Sequence, residues 1–177
     1  MTIVIIAQIL GIAAMATTIL SLQCRSNRNF FLMQETAGLV FAVSFAMLGA
    51  WSGALMNLYG VIRPEVLRRP STAASKWTLA GLLFLLILCG LSAVFIFGEV
   101  WYLALLSGTA QIAGTCCMWS QNGKWIRLGQ LFFVSPLWLI YNVILPTPCL
   151  GGIINEIICI GSVLVALFRY RKSGFTK

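Results

Sequence analysis

Residues 77–97 read WTLAGLLFLLILCGLSAVFIF. The stretch has no charge and nothing more polar in its interior than Ser92 and Cys89. At about 1.5 Å per residue it is long enough to cross the ~30 Å hydrocarbon core of a bilayer as a helix. Similar runs flank it: Ile3 to Leu22, Phe30 to Leu48, a shorter one from Gly49 to Ile62, Trp101 to Trp119, Trp125 to Leu145, and Cys149 to Phe168. The pattern predicts an all-α membrane protein of seven transmembrane helices, with a tight turn at Leu48-Gly49-Ala50 between the second and third. Gly49 and Gly53 also form a small-x-x-x-small step, which reads as close helix packing.

Composition points the same way. Of 177 residues, 60% are hydrophobic and 9% charged, and a soluble domain of this size cannot hide so much apolar surface behind so few charges. Histidine is absent and all four acidic residues are glutamate. Ser/His/Asp triads, Cys/His dyads, His-ligated zinc and carboxylate-rich metal sites are thereby removed, so no enzyme, metal or cofactor is expected. The net charge of +8 is not a nucleic-acid footprint, because Lys and Arg fall in short clusters between apolar runs. The six cysteines, at 24, 89, 116, 117, 149 and 159, include no C-x-x-C pair and read as small buried hydrophobes.

The clusters set an orientation. Arg25 and Arg28 follow span one; Arg63, Arg68, Arg69 and Lys76 follow span three; Lys124 and Arg127 follow span five; Arg169, Arg171, Lys172 and Lys177 follow span seven. With seven spans all 12 basic residues share one face, which the charge-bias rule makes cytoplasmic, with the N-terminus outside. The basic tail then meets anionic lipid. Trp51 and Trp101 stand at the opposite span ends and Trp77, Trp119 and Trp125 at the basic ends, as interfacial belts do, which leaves Trp138 inside a span. The first run has no basic residue before it and reads as a retained anchor rather than a signal peptide.

The two ends of the chain echo each other. Ser21-Leu22-Gln23 pairs with Trp119-Ser120-Gln121, Gln34 with Gln130 and Asn57 with Asn155, at offsets of 98, 96 and 98. A second echo sets Ala7-Gln8-Ile9-x-Gly11 against Ala110-Gln111-Ile112-x-Gly114. The expectation is a 3+1+3 parallel repeat: a first triple-helix bundle over 1–70, a linker helix over 71–98, and a second bundle with a short basic tail over 99–177. The extra crossing lets the second half enter the membrane in the same direction as the first.

The run Ala7-Gln8-x-x-Gly11, Arg28-x-Phe30, Gln34, Leu48-Gly49, Gly53-Ala54, Asn57 and Arg63 resembles the YgjV family of bacterial inner-membrane proteins, grouped with the SWEET and PQ-loop transporters. The resemblance implies a SWEET-like fold with a substrate path between two triple-helix bundles. It also implies one Asn from the third helix and one from the seventh facing each other across that path, matched here by Asn57 and Asn155. The sequence departs from the SWEET pattern in its hinges: of the four prolines only Pro136 is present, and the PQ dipeptide reads Leu22-Gln23 and Ser120-Gln121.

In hydrocarbon a side-chain amide either joins helices or lines a wet path. Asn57 and Asn155, being repeat-related, are expected to contact ligand, and Gln34 and Gln130 form a second matched pair nearer the cytoplasm, as an inner gate or as glue. Trp138 and Asn142, four residues apart on one face, offer an aromatic plate beside an amide, the usual way to hold a polar ring. Glu156 lies inside an apolar helix, where the neutral acid is favoured, so it is a candidate for carrying a proton in step with substrate. Glu35 is the second candidate, or pairs with Arg25 or Arg28; Glu65 and Glu99 read as solvated loop residues. Pro136 frees a carbonyl within span six and is a candidate hinge.

The whole reads as an inner-membrane transporter for a small, polar, uncharged solute of the sugar, nucleoside or vitamin class, with homo-oligomerisation left open. The alternative is a ligand-binding receptor or structural module on the same fold.

Overall fold

A computed structural model describes residues 2–21, 27–68, 75–120 and 122–173. Leu22, Gln23, Cys24, Arg25, Arg69, Gln121 and Lys177 lie outside the described residues. The described chain forms seven helices: α1 (Thr2–Ser21), α2 (Asn27–Met47), α3 (Trp51–Arg68), α4 (Lys76–Phe95), α5 (Trp101–Trp119), α6, and α7 (Leu150–Ser173). Helix α6 is composite, with α-helical Gly123–Gly129, a π segment Gln130–Val134, and α-helical Ser135–Ile144.

Three stretches are long and apolar enough by themselves to cross a membrane: Thr2–Leu20, Lys76–Phe95 and Lys124–Ile144. Leu32–Met47 and Leu150–Val165 are apolar but shorter. Helices α3 and α5 match the others in length, but their apolar character is diluted by Asn57 and Arg63 on one and Gln111 and Thr115 on the other. Ile9, Phe84, Leu105, Phe132 and Val165 are exposed on the outside of the bundle, a surface suited to lipid rather than water.

Local chemistry sets the helix ends. Gly49 adopts φ +74°, a left-handed turn open to glycine. Around it Gly49 N–H donates to Ala46 O (3.1 Å) and Ala50 N–H to Phe45 O (2.9 Å), the paired bonds of a Schellman stop. Helix α3 therefore starts at Trp51 rather than Gly49, so Gly49 and Gly53 do not form a helical small-residue step. Gly53 alone packs closely, against Tyr141 and Phe45. Helix α3 also continues through Pro64 to Arg68, past the Ile62 end expected from the sequence. In α6 the N–H of Ser135 reaches back five residues to Gln130 O, and Pro136, which follows it, has no N–H to restore the α ladder.

Six helices close a ring in the order α1, α2, α3, α5, α6, α7 and back to α1, and α4 packs outside it against α3 and α5. This position explains why α4 can lack polar side chains. Two glutamines tie the seams of the ring. Gln8 of α1 donates through Nε2 to Pro148 O (2.7 Å) and accepts through Oε1 from Leu150 N–H (3.0 Å), holding the start of α7. Gln111 of α5 donates through Nε2 to Met56 O of α3 (3.0 Å). A Cβ on Gly151 would overlap the Gly11 backbone, so α1 and α7 touch main chain to main chain.

Four further expectations are corrected. Glu65 lies on α3 rather than in a loop. Glu99 is half-buried in the α4–α5 connection, where its Oε2 accepts the Ser52 N–H in the first turn of α3. There it satisfies an orphan helix donor and faces the positive end of the dipole. Of the five cysteines described, Cys149 is buried while Cys116 is exposed on the outside of α5. Arg63, expected among flanking charges, stands inside α3 and turns into the ring.

Candidate functional site

The ring surrounds a cavity of about 420 Å³ lined from all six of its helices and from none of α4. Thr18 comes from α1, Gln34 and Glu35 from α2, Asn57 and Arg63 from α3, Gln111 from α5, Gln130 and Trp138 from α6, and Asn155 and Glu156 from α7. A smaller space of about 100 Å³ continues past Trp138, sharing Asn57, Asn155 and Glu156 and adding Asn142 and Gly152. Of the residues singled out from the sequence, Pro136 alone lines neither space.

Gln111 joins α5 to α3, whereas Asn57, Asn142, Gln130 and Asn155 on these walls bond within their own helices. Asn57 Nδ2 donates to Gly53 O (2.8 Å) and Asn142 Nδ2 to Trp138 O (2.7 Å), each within its own helix. Gln130 Nε2 donates to Ser135 Oγ (2.8 Å), also within α6. Asn155 Nδ2 donates to its neighbour Glu156 Oε1 (3.2 Å). What remains is acceptor capacity: Asn142 Oδ1, Asn155 Oδ1 and Glu156 Oε2 are buried without a hydrogen-bond partner. Asn142 is 1% exposed and Asn155 and Glu156 are each 9% exposed. A buried acceptor without a partner costs about 1–3 kcal/mol, so these three oxygens are groups that a hydrogen-bond donor would stabilise.

An aromatic cluster stands at the end of the cavity remote from the basic helix ends. Phe45 lies 6.1 Å from Trp138 and 5.9 Å from Tyr141, and Trp138 meets Tyr141 edge-on at 5.2 Å. The Tyr141 hydroxyl accepts from Gly53 N–H (2.8 Å) and shares a hydrogen bond with Ser52 Oγ (3.1 Å), which ties α6 to α3. Beyond this cluster, burial pushes the Glu99 carboxyl up from 4.5, against the downward pull of its hydrogen bonds from Ser52.

Two residues important to the wall were not singled out from the sequence as site residues. Arg63 Nη1 donates to Gln111 Oε1 (2.8 Å) and, more weakly, to Thr115 Oγ1 (3.4 Å), with its Cζ 5.9 Å from the Tyr59 ring centre. Gln111, noted only within a repeat echo, holds Arg63 and the α3–α5 seam together. A signal for it was present: Ser107, Gln111 and Thr115 recur every four residues on one face of α5, and all three are buried.

No curated protein and no solved structure matches the chain significantly. Residues 5–174, nearly the whole chain, match the profile of Imp-YgjV, described as bacterial inner membrane protein. The chain therefore belongs to the Imp-YgjV family of bacterial inner membrane proteins.

Proposed function

We propose that this protein moves a small polar solute of the sugar, nucleoside or vitamin class through the space at the centre of the ring. The observation that carries the proposal is the orphaned acceptor wall. Asn142, Asn155 and Glu156 line the two connected spaces and carry buried oxygens without partners, while Gln8 and Gln111 make the bonds that join helices. Amides whose role was to hold the bundle together would cross between helices, and Asn57 and Asn142 do not. Trp138 supplies a face for a ring and the amides supply edge contacts.

The same reading gives the remaining parts their roles. The two halves work as a 3+1+3 parallel repeat of the SWEET type, with Asn57 and Asn155 as its matched pair and Gln34 and Gln130 nearer the cytoplasm. Glu156, with Glu35, takes and releases a proton in step with the solute. The π segment before Pro136 is the hinge in α6. The N-terminus is outside, and the C-terminal basic tail meets anionic lipid on the cytoplasmic side.

Counterflow in proteoliposomes tests this. Members of a panel of sugars, nucleosides and vitamins exchange across vesicles carrying the wild-type protein, and Asn155→Ala abolishes exchange without loss of folded protein. Binding that persists with no exchange by any member would replace the transporter with a receptor.

A further inference from the structure

Resting on the transport reading, we infer that the solute carries a carboxylate, which docks on the unbonded edge of Arg63. Arg63 lies five residues before the end of α3 at Arg68, about 7.5 Å inside the helix end. Helical side chains lean toward the N-terminus of their own helix, and for α3 that is the end away from the basic clusters. The guanidinium thus reaches inward. Its acceptor Gln111 stands eight residues before the end of α5 at Trp119, about 12 Å in. A snorkelling arginine would lead the other way. Gly114 makes the room, since a Cβ there would lie 2.9 Å from Nη1.

The protein engages one corner of this group. Gln111 and Thr115 both take Nη1, and Gln111 is itself fixed by Met56 O. Arg63 Nε is buried without an acceptor, and among the described residues Nη2 makes no hydrogen bond and no carboxylate forms an ion pair with the guanidinium. Nε and Nη2 share one edge, and their parallel N–H groups fit the two oxygens of a carboxylate. A guanidinium stays charged in proteins, and a charge at this depth without a counter-charge marks a substrate path. An uncharged solute, the expectation from the sequence, leaves it uncompensated.

The rest of the cavity fits such a molecule. Its volume of about 420 Å³ is in the usual range for small-ligand sites. With the acid on Arg63, the body of the solute lies among Trp138, Asn57 and Asn155, which line the same space. Glu35 and Glu156 also line it, from α2 and α7, and are carboxyls that an incoming acid must find protonated.

The test is thermal stability of the purified protein with matched solute pairs, each a monocarboxylate and its primary amide: nicotinate with nicotinamide, biotin with biotinamide, gluconate with gluconamide. The expected result is that at least one acid raises the midpoint and its amide does not. Arg63→Lys, which keeps the charge and loses the fork, should weaken that acid roughly 10- to 100-fold, and Arg63→Gln should abolish the effect. The acid–amide contrast is read in the wild type, so it stands even where a variant fails to fold. Amides as effective as their acids, an acid effect that survives Arg63→Gln, or no effect from any acid would each overturn the inference. If amides stabilise and Asn155→Ala removes that effect, the transport reading stands without the carboxylate; if no pair stabilises and counterflow is also absent, both fall.

Discussion

Gly151→Ala should force open the seam between α1 and α7. A Cβ at position 151 would lie 2.7 Å from Ile12 N and closer still to the Gly11 carbonyl, where ordinary contact begins at 3.4 Å. These are backbone atoms with no rotamer to yield, so the helices must part by about 0.7 Å or more. Overpacking of this kind costs about 1–3 kcal/mol. The two Gln8 hydrogen bonds to Pro148 and Leu150 span the same seam, and stretching them adds about 1 kcal/mol. The sum, about 2–4 kcal/mol, corresponds to a fall in thermal midpoint on the order of 5–10 °C. A second readout is local: Cys149 is fully buried beside Gly11 and Ser44, so in a background where Cys149 is the sole cysteine its maleimide labelling should rise. Gly161→Ala is the control, since a Cβ there meets nothing within 4 Å, and helix propensity favours it by up to about 1 kcal/mol. An unchanged midpoint with Cys149 still protected would refute the main-chain contact on which the ring closure depends.

Other substitutions probe other joints. Tyr141→Phe strands the Gly53 N–H and the Ser52 hydroxyl and should cost about 1–3 kcal/mol in a thermal melt; no change would mean that both groups find other partners. Burial holds the Glu99 carboxyl above 4.5, so the folded state binds that proton more tightly than the unfolded one. Its stabilising contribution is therefore complete below 4.5 and is lost as pH rises through the folded value, and Glu99→Gln should flatten that slope in a series of melts across pH. A pH profile unaltered by the substitution contradicts the assignment. Asn142→Leu removes a buried orphan oxygen but crowds Gly152, whose Cβ position already coincides with the Asn142 amide, so it should lose affinity for solute while changing stability by less than about 1.5 kcal/mol.

Much of this architecture is legible in the sequence because the membrane imposes a length on every crossing. Residues 77–97 announce a span with no task inside the bundle, and α4 stands outside the ring. Asn57, Asn155, Trp138 and Glu156 stand out as costly or bulky groups inside apolar runs, and they line one cavity. Arg63 is where the reading fails, for a physical reason. A charge followed by Pro64 looks like the end of a span, yet a long side chain near a helix end can run outward to water or inward along its own helix, and Cβ direction settles which. The fourteen residues from Gly49 to Ile62 are too few to cross, a sign that the helix continues through Arg63. The Glu99 cap on α3 could not be found from spacing at all, because it joins residues 47 apart through a tertiary contact.

A wet path through the ring, entered from the basic face, can be tested by cysteine accessibility without knowledge of the solute. Single cysteines are placed in a cysteine-free protein as Gln34→Cys, Asn57→Cys and Asn155→Cys on the cavity wall, Phe45→Cys in the aromatic cluster, and Leu105→Cys on the lipid-suited exterior, then treated with a membrane-impermeant maleimide on each side of sealed vesicles. The three wall positions should label from the side bearing the basic clusters, with Phe45→Cys and Leu105→Cys protected. Wall positions that stay unlabelled from both sides, or that label no faster than Leu105→Cys, would contradict it and leave the polar residues as packing within a closed bundle.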